Sequence, residues 1–277
     1  MSEEPIIIDA IDIDGTALRF PLFNSLSHFL LEGHANDTSG ELRDLFARTR
    51  RAWQRREATF DDYFAAALEV QRAGMFKGVL AQVVEDFARS HAESDGHRPY
   101  VFTQELIAVL KESGHHLLAV SGSPEAMVRV YCERNGIDHF VATTLPVDEH
   151  GRLTGDVVST AFDDKAAAVR SYQATLGRPS KVMVAIGDSL ADLSMLHMAK
   201  YPIAFGPNAE LDAAAHRFGI PIVVEDRNVI RVLAVYGDGT TRRTPRSYAE
   251  APLSSILPHP IARRLAERIT ARKYKIR

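Results

Sequence analysis

Asp12-Ile13-Asp14-Gly15-Thr16 sets two like carboxylates at a spacing that can use them together. The stretch closes the apolar run Pro5 to Asp12, which reads as a strand. The two-residue period of a strand sends Asp12 and Asp14 to one side, and Gly15 breaks the strand. At the C-terminal edge of a parallel sheet, such a pair can ligate a hard cation and keep one oxygen free to attack phosphorus. A solvated Asp-Gly turn is the plain alternative, and five residues alone do not decide between the two.

Three later segments supply context. Val120-Ser121-Gly122-Ser123-Pro124 follows a second strand, with Pro124 suited to the first turn of a helix running through Val128 and Val130. Ser121 and Gly122 can hold phosphate oxygens at that helix N-terminus, or Ser121 can simply cap the helix. Asp163-Asp164-Lys165 opens another helix through Val169. An isolated Lys is a surface residue, whereas a Lys beside a nucleophilic carboxylate neutralises both it and an incoming phosphate. Last, Val182 to Ile186 runs into Gly187-Asp188-Ser189-Leu190-Ala191-Asp192. Asp188 stands at the strand end and Asp192 one helical turn on, so both can face the same cation. A capped helix start also fits, but leaves unexplained why a third strand ends in acid.

The elements that must position these residues alternate strand-length apolar runs with helical periods, the pattern of a parallel sheet covered by helices. Strands are expected at Pro5 to Asp12, His116 to Val120, Phe140 to Thr143, Lys181 to Ile186, Ile203 to Phe205 and Ile220 to Val224. A helix from Thr103 to Lys111 can stop at Gly114. From Phe20 to Tyr100 the text is helical, with stripes at Leu42, Leu45 and Phe46, at Phe64, Ala67 and Leu68, and at Val79, Val83 and Phe87. Leu145 to Val158 reads as a hairpin around Asp148, Glu149, His150 and Gly151. Asp9, inside the first strand, is unusual for a buried parallel strand and calls for a polar partner or a sheet irregularity.

Composition bounds the reading. The 277 residues are 45% hydrophobic and 25% charged, enough for one large domain or two unequal ones. A lone Cys132 excludes an internal disulfide and a thiol-rich metal site. The histidines lack zinc-ligand spacing, and the adjacent His115 and His116 point to opposite faces of a strand. Met1 to Glu4 is acidic where a signal peptide is basic, and no apolar stretch approaches the roughly 18 residues of a membrane span. These features predict a cytoplasmic protein. Residues 241–277 hold ten basic and two acidic residues, +8, which leaves −11 of the net −3 on residues 1–240. That balance argues against a body built to grip nucleic acid. In the tail, Ile261, Leu265 and Ile269 stand at four-residue spacing among arginines, a basic amphipathic helix. Packing on the acidic body is favoured over an anionic membrane or nucleic-acid surface.

Taken together and in this order, the four motifs resemble those of the haloacid dehalogenase superfamily, in the subfamily IB branch that includes phosphoserine phosphatase. The resemblance implies an α/β fold: a Rossmann-like parallel sheet core at residues 1–19 and 101–240, an inserted all-helical cap at 20–100, and a basic, partly helical tail at 241–277. Gly151-Arg152-Leu153-Thr154-Gly155 resembles the branch's hairpin. It further implies Asp12 as nucleophile, Asp14 as general acid and base, and Ser121, Gly122 and Lys165 as phosphate ligands. Asp12, the Asp14 carbonyl and Asp188 would ligate Mg2+, with Thr16, Ser189 and Asp192 in support. The implied activity is hydrolysis of a small phosphate monoester through an aspartyl-phosphate. Transfer to a second alcohol uses the same intermediate. A receiver-like phosphoryl acceptor is disfavoured because the acidic pair opens the chain and a helical insertion follows. Dehalogenation is disfavoured because it dispenses with the metal and so with Asp14 and Asp188.

Two departures bear on substrate. The branch places an acid shortly after the first motif to hold an amine, and Leu18 to Phe23 contains none. It also carries a cap arginine for a carboxylate, where Gln71 stands here with Arg72 one place on. Phosphoserine is therefore not the expected substrate, and Phe20, Leu22 and Phe23 suggest an apolar entrance.

Overall fold

A computed structural model describes residues 4–34, 40–58, 60–72, 74–94, 98–158, 164–236 and 247–276. Asp163, Arg242, Arg243, Arg246 and Arg277, and the side chains of Leu42, Phe64, Ala67, Leu68 and Arg72, lie outside the described set. The strands are β1 (Ile6–Ile11), β2 (His116–Pro124), β3 (His139–Thr143), β4 (Ser180–Gly187), β5 (Tyr201–Phe205), β6 (Ile222–Asp226), β7 (Val229–Tyr236), β8 (Ser247–Glu250) and β9 (Lys275–Ile276). They form one sheet in the order β3-β2-β1-β4-β5-β6-β7-β8, with β9 paired to β7. Neighbours from β3 through β6 are parallel, β7 and β8 add antiparallel, and β9 runs parallel to β7.

The helices are α1 (Leu22–Phe29), α2 (Glu41–Gln54), α3 (Phe60–Arg72), α4 (Ala81–Glu93), α5 (Val101–Glu112), α6 (Glu125–Asn135), α7 (Lys165–Thr175), α8 (Leu193–Leu196), α9 (Ala209–Phe218) and α10 (His259–Ala271). Among the described residues, no helix is long and apolar enough to cross a membrane. Both faces of the parallel strands are covered, which is why they read as near-continuous apolar runs. Ile8, Ala10, Leu118, Val120 and Val182 pack in one cluster with Val169 of α7, Met195 of α8 and Leu211 of α9. Ile11, Leu117, Ala119, Val184 and Ile186 face the other cluster, which continues through Phe102 and Leu106 of α5 into Leu26, Phe46, Val70 and Val84 of α1 to α4. The helices between β1 and β2 thus share an apolar interior with one face of the sheet.

Asp9 finds both features its position demands. The β1–β4 register slips between Ile8 and Asp9, skipping Met183, and Asp9 Oδ1 accepts the Val184 N–H at 2.9 Å. Its Oδ2 lies 2.6 Å from His115 Nδ1. The bulge opens a backbone donor, and a buried carboxylate and its partner fill the gap.

Several expected boundaries shift; β5 and α5 each begin two residues earlier than expected. β2 runs on to Pro124 with a register break after Val120, so Ser121 and Ser123 lie in the strand and Pro124 precedes α6 instead of starting it. β6 sits two residues later than expected, at Ile222–Asp226. Residues 145–158 form a loosely joined hairpin held by the bridges Thr144↔Val158 and Val147↔Leu153, and Arg152 also bridges Leu80. The C-terminal residues join the sheet through β8 and β9, and α10 buries Ile261, Leu265 and Ile269. Arg268 and Arg272 both reach the buried Glu105 of α5, at 2.5 and 2.8 Å. Burying three aliphatic side chains is worth roughly 1.5–3 kcal/mol each, against about 0–1 kcal/mol for an exposed ion pair. Apolar burial therefore holds α10, and the arginines fix its orientation.

Candidate active site

The strand order reverses at β1, between β2 on one side and β4 on the other, and ligands of open α/β sheets bind at such a point beyond the C-terminal strand ends. Asp12 leaves β1 there, its N–H bonded to Ile186 of β4 at 3.0 Å. Asp188 leaves β4 one residue past its end. Gly15 joins the two: at φ 85°, a Cβ on it would stand 2.1 Å from Asp188 Oδ2. The 14–15 peptide, which carries the Asp14 carbonyl, can therefore lie against the Asp188 carboxylate only because residue 15 has no side chain.

Lys165 ties the centre together. Asp164 caps α7 by accepting the Ala166 N–H at 2.9 Å, which sets Lys165 at the helix start. The buried Lys165 Nζ lies 2.5 Å from Asp12 Oδ1 and 2.5 Å from Asp192 Oδ1. Burial works against its charge, and the two carboxylates outweigh that, raising the ammonium above its ordinary value. Asp192 spends its other oxygen on the Asp188 and Ser189 amides, at 3.0 and 2.9 Å, and on Ser189 Oγ at 3.0 Å. It shapes the loop and anchors the lysine. Asp12 Oδ2, by contrast, is buried with no hydrogen-bond partner.

Asp12, Asp188 and Asp192 each offer an oxygen, all within 4.8 Å of one another. Burial first, then the neighbouring carboxylates, push Asp12 up to about 7 in spite of Lys165. Burial and the Asp12 and Asp192 charges also push Asp188 well above the usual carboxylate range. Hard oxygen donors crowded in this way, with an orphaned oxygen among them, fit a divalent cation such as Mg2+.

The Asp14 carboxylate sits elsewhere in the centre. Its Oδ1 accepts the Leu22 N–H at 2.7 Å, at the start of α1. Its Oδ2 accepts Ser123 Oγ at 2.5 Å and Ser121 Oγ at 3.3 Å. Burial raises its pKa, and the Ser123 and Leu22 hydrogen bonds partly offset the rise. Ser123 was not among the expected site residues, although two serines two residues apart on a strand must share a face. The Ser121 hydroxyl also accepts the Ser123 N–H at 3.0 Å, and the Gly122 carbonyl accepts Thr143 Oγ1 at 2.6 Å. Thr16 is buried beside the centre with its carbonyl bonded to Thr103 and its hydroxyl without a partner. The apolar entrance is corrected: Leu22 and Phe23 are buried in the core, and Phe20 alone of the three is exposed, at 48%.

Fold and site together define an α/β protein with a carboxylate and lysine centre at the switch point of a parallel sheet. The chain belongs to the haloacid dehalogenase-like hydrolases, whose family model matches residues 10–197. It is 30% identical over 208 residues to a phosphoserine phosphatase of Streptomyces coelicolor, covering 74% of this chain and 45% of that protein. It is 32% identical over 134 residues to a probable phosphatase of Mycobacterium tuberculosis, covering 47% of this chain and 46% of that one. The match thus spans less than half the length of either relative. Among solved structures, a Bordetella pertussis protein of unknown function superposes with a TM-score of 0.61 at 19% identity, over 79% of this chain and 98% of its own. A phosphoserine phosphatase bearing a phospho-aspartyl intermediate analogue superposes at 0.54 and 21% identity, over 81% and 95%. At these identities the solved structures speak for the fold.

Proposed function

We propose that the chain is a Mg2+-dependent phosphomonoesterase that works on a small phosphorylated metabolite through an aspartyl-phosphate on Asp12. The observation that carries this reading is the pairing of Lys165 with Asp12 Oδ1 while Asp12 Oδ2 stays buried and unpartnered. A carboxylate held at one oxygen and free at the other is oriented to attack. Asp12 and Asp188, with the Asp14 carbonyl, would hold Mg2+, which when bound neutralises the crowded carboxylates and the phosphate oxygens.

In the first half-reaction an Asp12 carboxylate oxygen bonds to phosphorus as the bond from phosphorus to the alcohol oxygen breaks. Asp14 gives its proton to the departing alcohol. That proton belongs on Oδ2, because Oδ1 faces a backbone N–H while Ser121 and Ser123 can turn their hydroxyls from donor to acceptor. In the second half-reaction Asp14, now ionised, takes a proton from water as the water oxygen bonds to phosphorus and the Asp12 ester bond breaks. Lys165 compensates the negative charge on both occasions, and Ser121 and Gly122 bind phosphate oxygens.

The test is phosphate release from a panel of phosphate monoesters with Mg2+ and with EDTA, for the unaltered protein and Asp12→Asn. Release that needs Mg2+ and falls at least about a thousandfold in Asp12→Asn is the expected result. Full activity in that variant would sink the assignment.

A further inference from the structure

The helices between β1 and β2 flank an open cavity of about 520 Å3 whose wall begins in the loop that follows Asp14. Phe20 supplies that part of the wall, two residues before the Leu22 N–H that holds the Asp14 carboxylate. Asn24, Arg50, Trp53, Tyr63 and Arg98 supply much of the rest, and no described residue lining the cavity is acidic. Trp53 gives the cavity an aromatic flank, backed by the buried Tyr63 with ring centroids 5.1 Å apart and planes 2° from parallel.

Three of its polar side chains, Asn24, Arg50 and Arg98, bear on what it can bind. Asn24 is 6% exposed, and neither its Oδ1 nor its Nδ2 has a hydrogen-bond partner. Such an amide is a standing cost that a bound polar group removes. Arg50 is half-buried, with the neutral-ring contact to His28 Nδ1 at 3.5 Å as its polar interaction and no carboxylate within ion-pair distance among the described residues. Arg98 likewise forms no ion pair among them. A half-buried guanidinium without a counter-ion is suited to an anion from outside the chain.

We propose that this cavity receives the alcohol portion of the phosphate ester, and that this alcohol carries an anionic group, a carboxylate or a second phosphate, on a flat skeleton. The proposal rests on the phosphomonoesterase reading above and names its substrate class. Arg50 and Arg98 meet the charge, Asn24 hydrogen-bonds the anion or a neighbouring polar atom, and the skeleton lies along Trp53. An ammonium group is disfavoured by the two guanidiniums, with no carboxylate among the described lining residues. The link to the centre is the loop itself: Phe20 and Pro21 line the cavity, and the next residue, Leu22, holds the Asp14 carboxylate through its N–H.

Four esters of one skeleton separate the possibilities: 4-carboxyphenyl phosphate, 1,4-phenylene bisphosphate, phenyl phosphate and 4-(aminomethyl)phenyl phosphate. At least one of the two anionic esters should exceed phenyl phosphate in kcat/KM by about tenfold or more, with the ammonium ester slowest. The better of the two identifies the anion. Arg50→Gln should lower kcat/KM for that ester about tenfold more than for phenyl phosphate, and the exposed Arg98→Gln should do so more weakly. Equal rates across charge, or an equal loss on all four esters, overturns the proposal and leaves the phosphomonoesterase reading intact. Should none of the four esters be hydrolysed, the phosphomonoesterase reading is decided by the Asp12→Asn comparison above, and calorimetric titration of 4-hydroxybenzoate, phenol and 4-(aminomethyl)phenol tests the cavity alone. Tightest binding of 4-hydroxybenzoate, weakened by Arg50→Gln, supports the cavity assignment; binding blind to charge, or none, removes it.

Discussion

The acidic centre and the helical cavity both border the loop that follows Asp14, yet they treat their polar groups in opposite ways. At the centre most carboxylate oxygens are already engaged: Asp192 serves Lys165 and the loop amides, and Asp14 serves a backbone amide and two serines. Asp12 Oδ2 stands out as an oxygen without a partner. In the cavity the Asn24 amide has no hydrogen-bond partner, and Arg50 and Arg98 form no ion pair among the described residues. The difference follows from what builds each region. The centre hangs from adjacent strand ends, where register fixes positions to fractions of an ångström, whereas the cavity is the space left between packed helices. Chemistry needs groups preset before substrate arrives; selection among substrates needs groups that only the correct one completes.

Lys165→Met probes the first half of that contrast and has the largest expected effect. It removes the cation between Asp12 and Asp192 and leaves two buried carboxylates facing each other, so kcat/KM should fall roughly 10²- to 10³-fold. The ratio between 4-carboxyphenyl and phenyl phosphate should stay as it is. A ratio that collapses with Lys165 would mean that centre and cavity act as one unit.

The second effect is on stability. Asp12 holds its proton to about pH 7 in the folded chain without metal, against 3.8 when unfolded. The unfolded state has therefore lost that proton above about pH 4 while the folded state keeps it. The raised pKa contributes stability that is complete below about pH 4 and gone above about pH 7. In EDTA, the melting temperature of the unaltered protein relative to Asp12→Asn should fall from pH 5 to pH 8, by an amount on the order of 5 °C. Added Mg2+ should shrink the fall. A difference flat in pH would show that the carboxylate is not crowded.

Much of this contrast was legible in the sequence, and unevenly so. Strands β1 to β6 announce themselves as apolar runs because both their faces are covered, and the acids stand out because they end those runs. Asp9 was visible as an anomaly whose cause, a bulge at Met183 that frees the Val184 N–H, and the partner His115, needed the fold. The run Val229 to Tyr236 went unread as a strand, although it is as apolar as β4. It joins β6 through Arg227 and Asn228, and Arg227 adopts φ 53°, a conformation that Asn or Gly would have signalled. The cavity had no signature at all. Its walls come from separate helices with no shared period, and the one clue, an apolar stretch near Phe20, pointed two of its three residues to the wrong place.

Ser123→Ala has the smallest effect and touches the residue by which the two regions are joined. Its hydroxyl donates to Asp14 Oδ2 at 2.5 Å and accepts the Phe23 N–H of α1 at 2.9 Å. Removing it costs the ionised form of Asp14 a donor, so the Asp14 pKa rises further above its already raised value. Asp14 then serves better as acid than as base, and water attack on the aspartyl-phosphate is the step that suffers. At neutral pH kcat should drop about tenfold, and the acidic limb of its pH profile should move upward. The order of preference among esters of different charge should persist, because the cavity keeps its arginines. Loss of rate with an unmoved profile would assign Ser123 to packing α1 against β2, with no part in tuning Asp14.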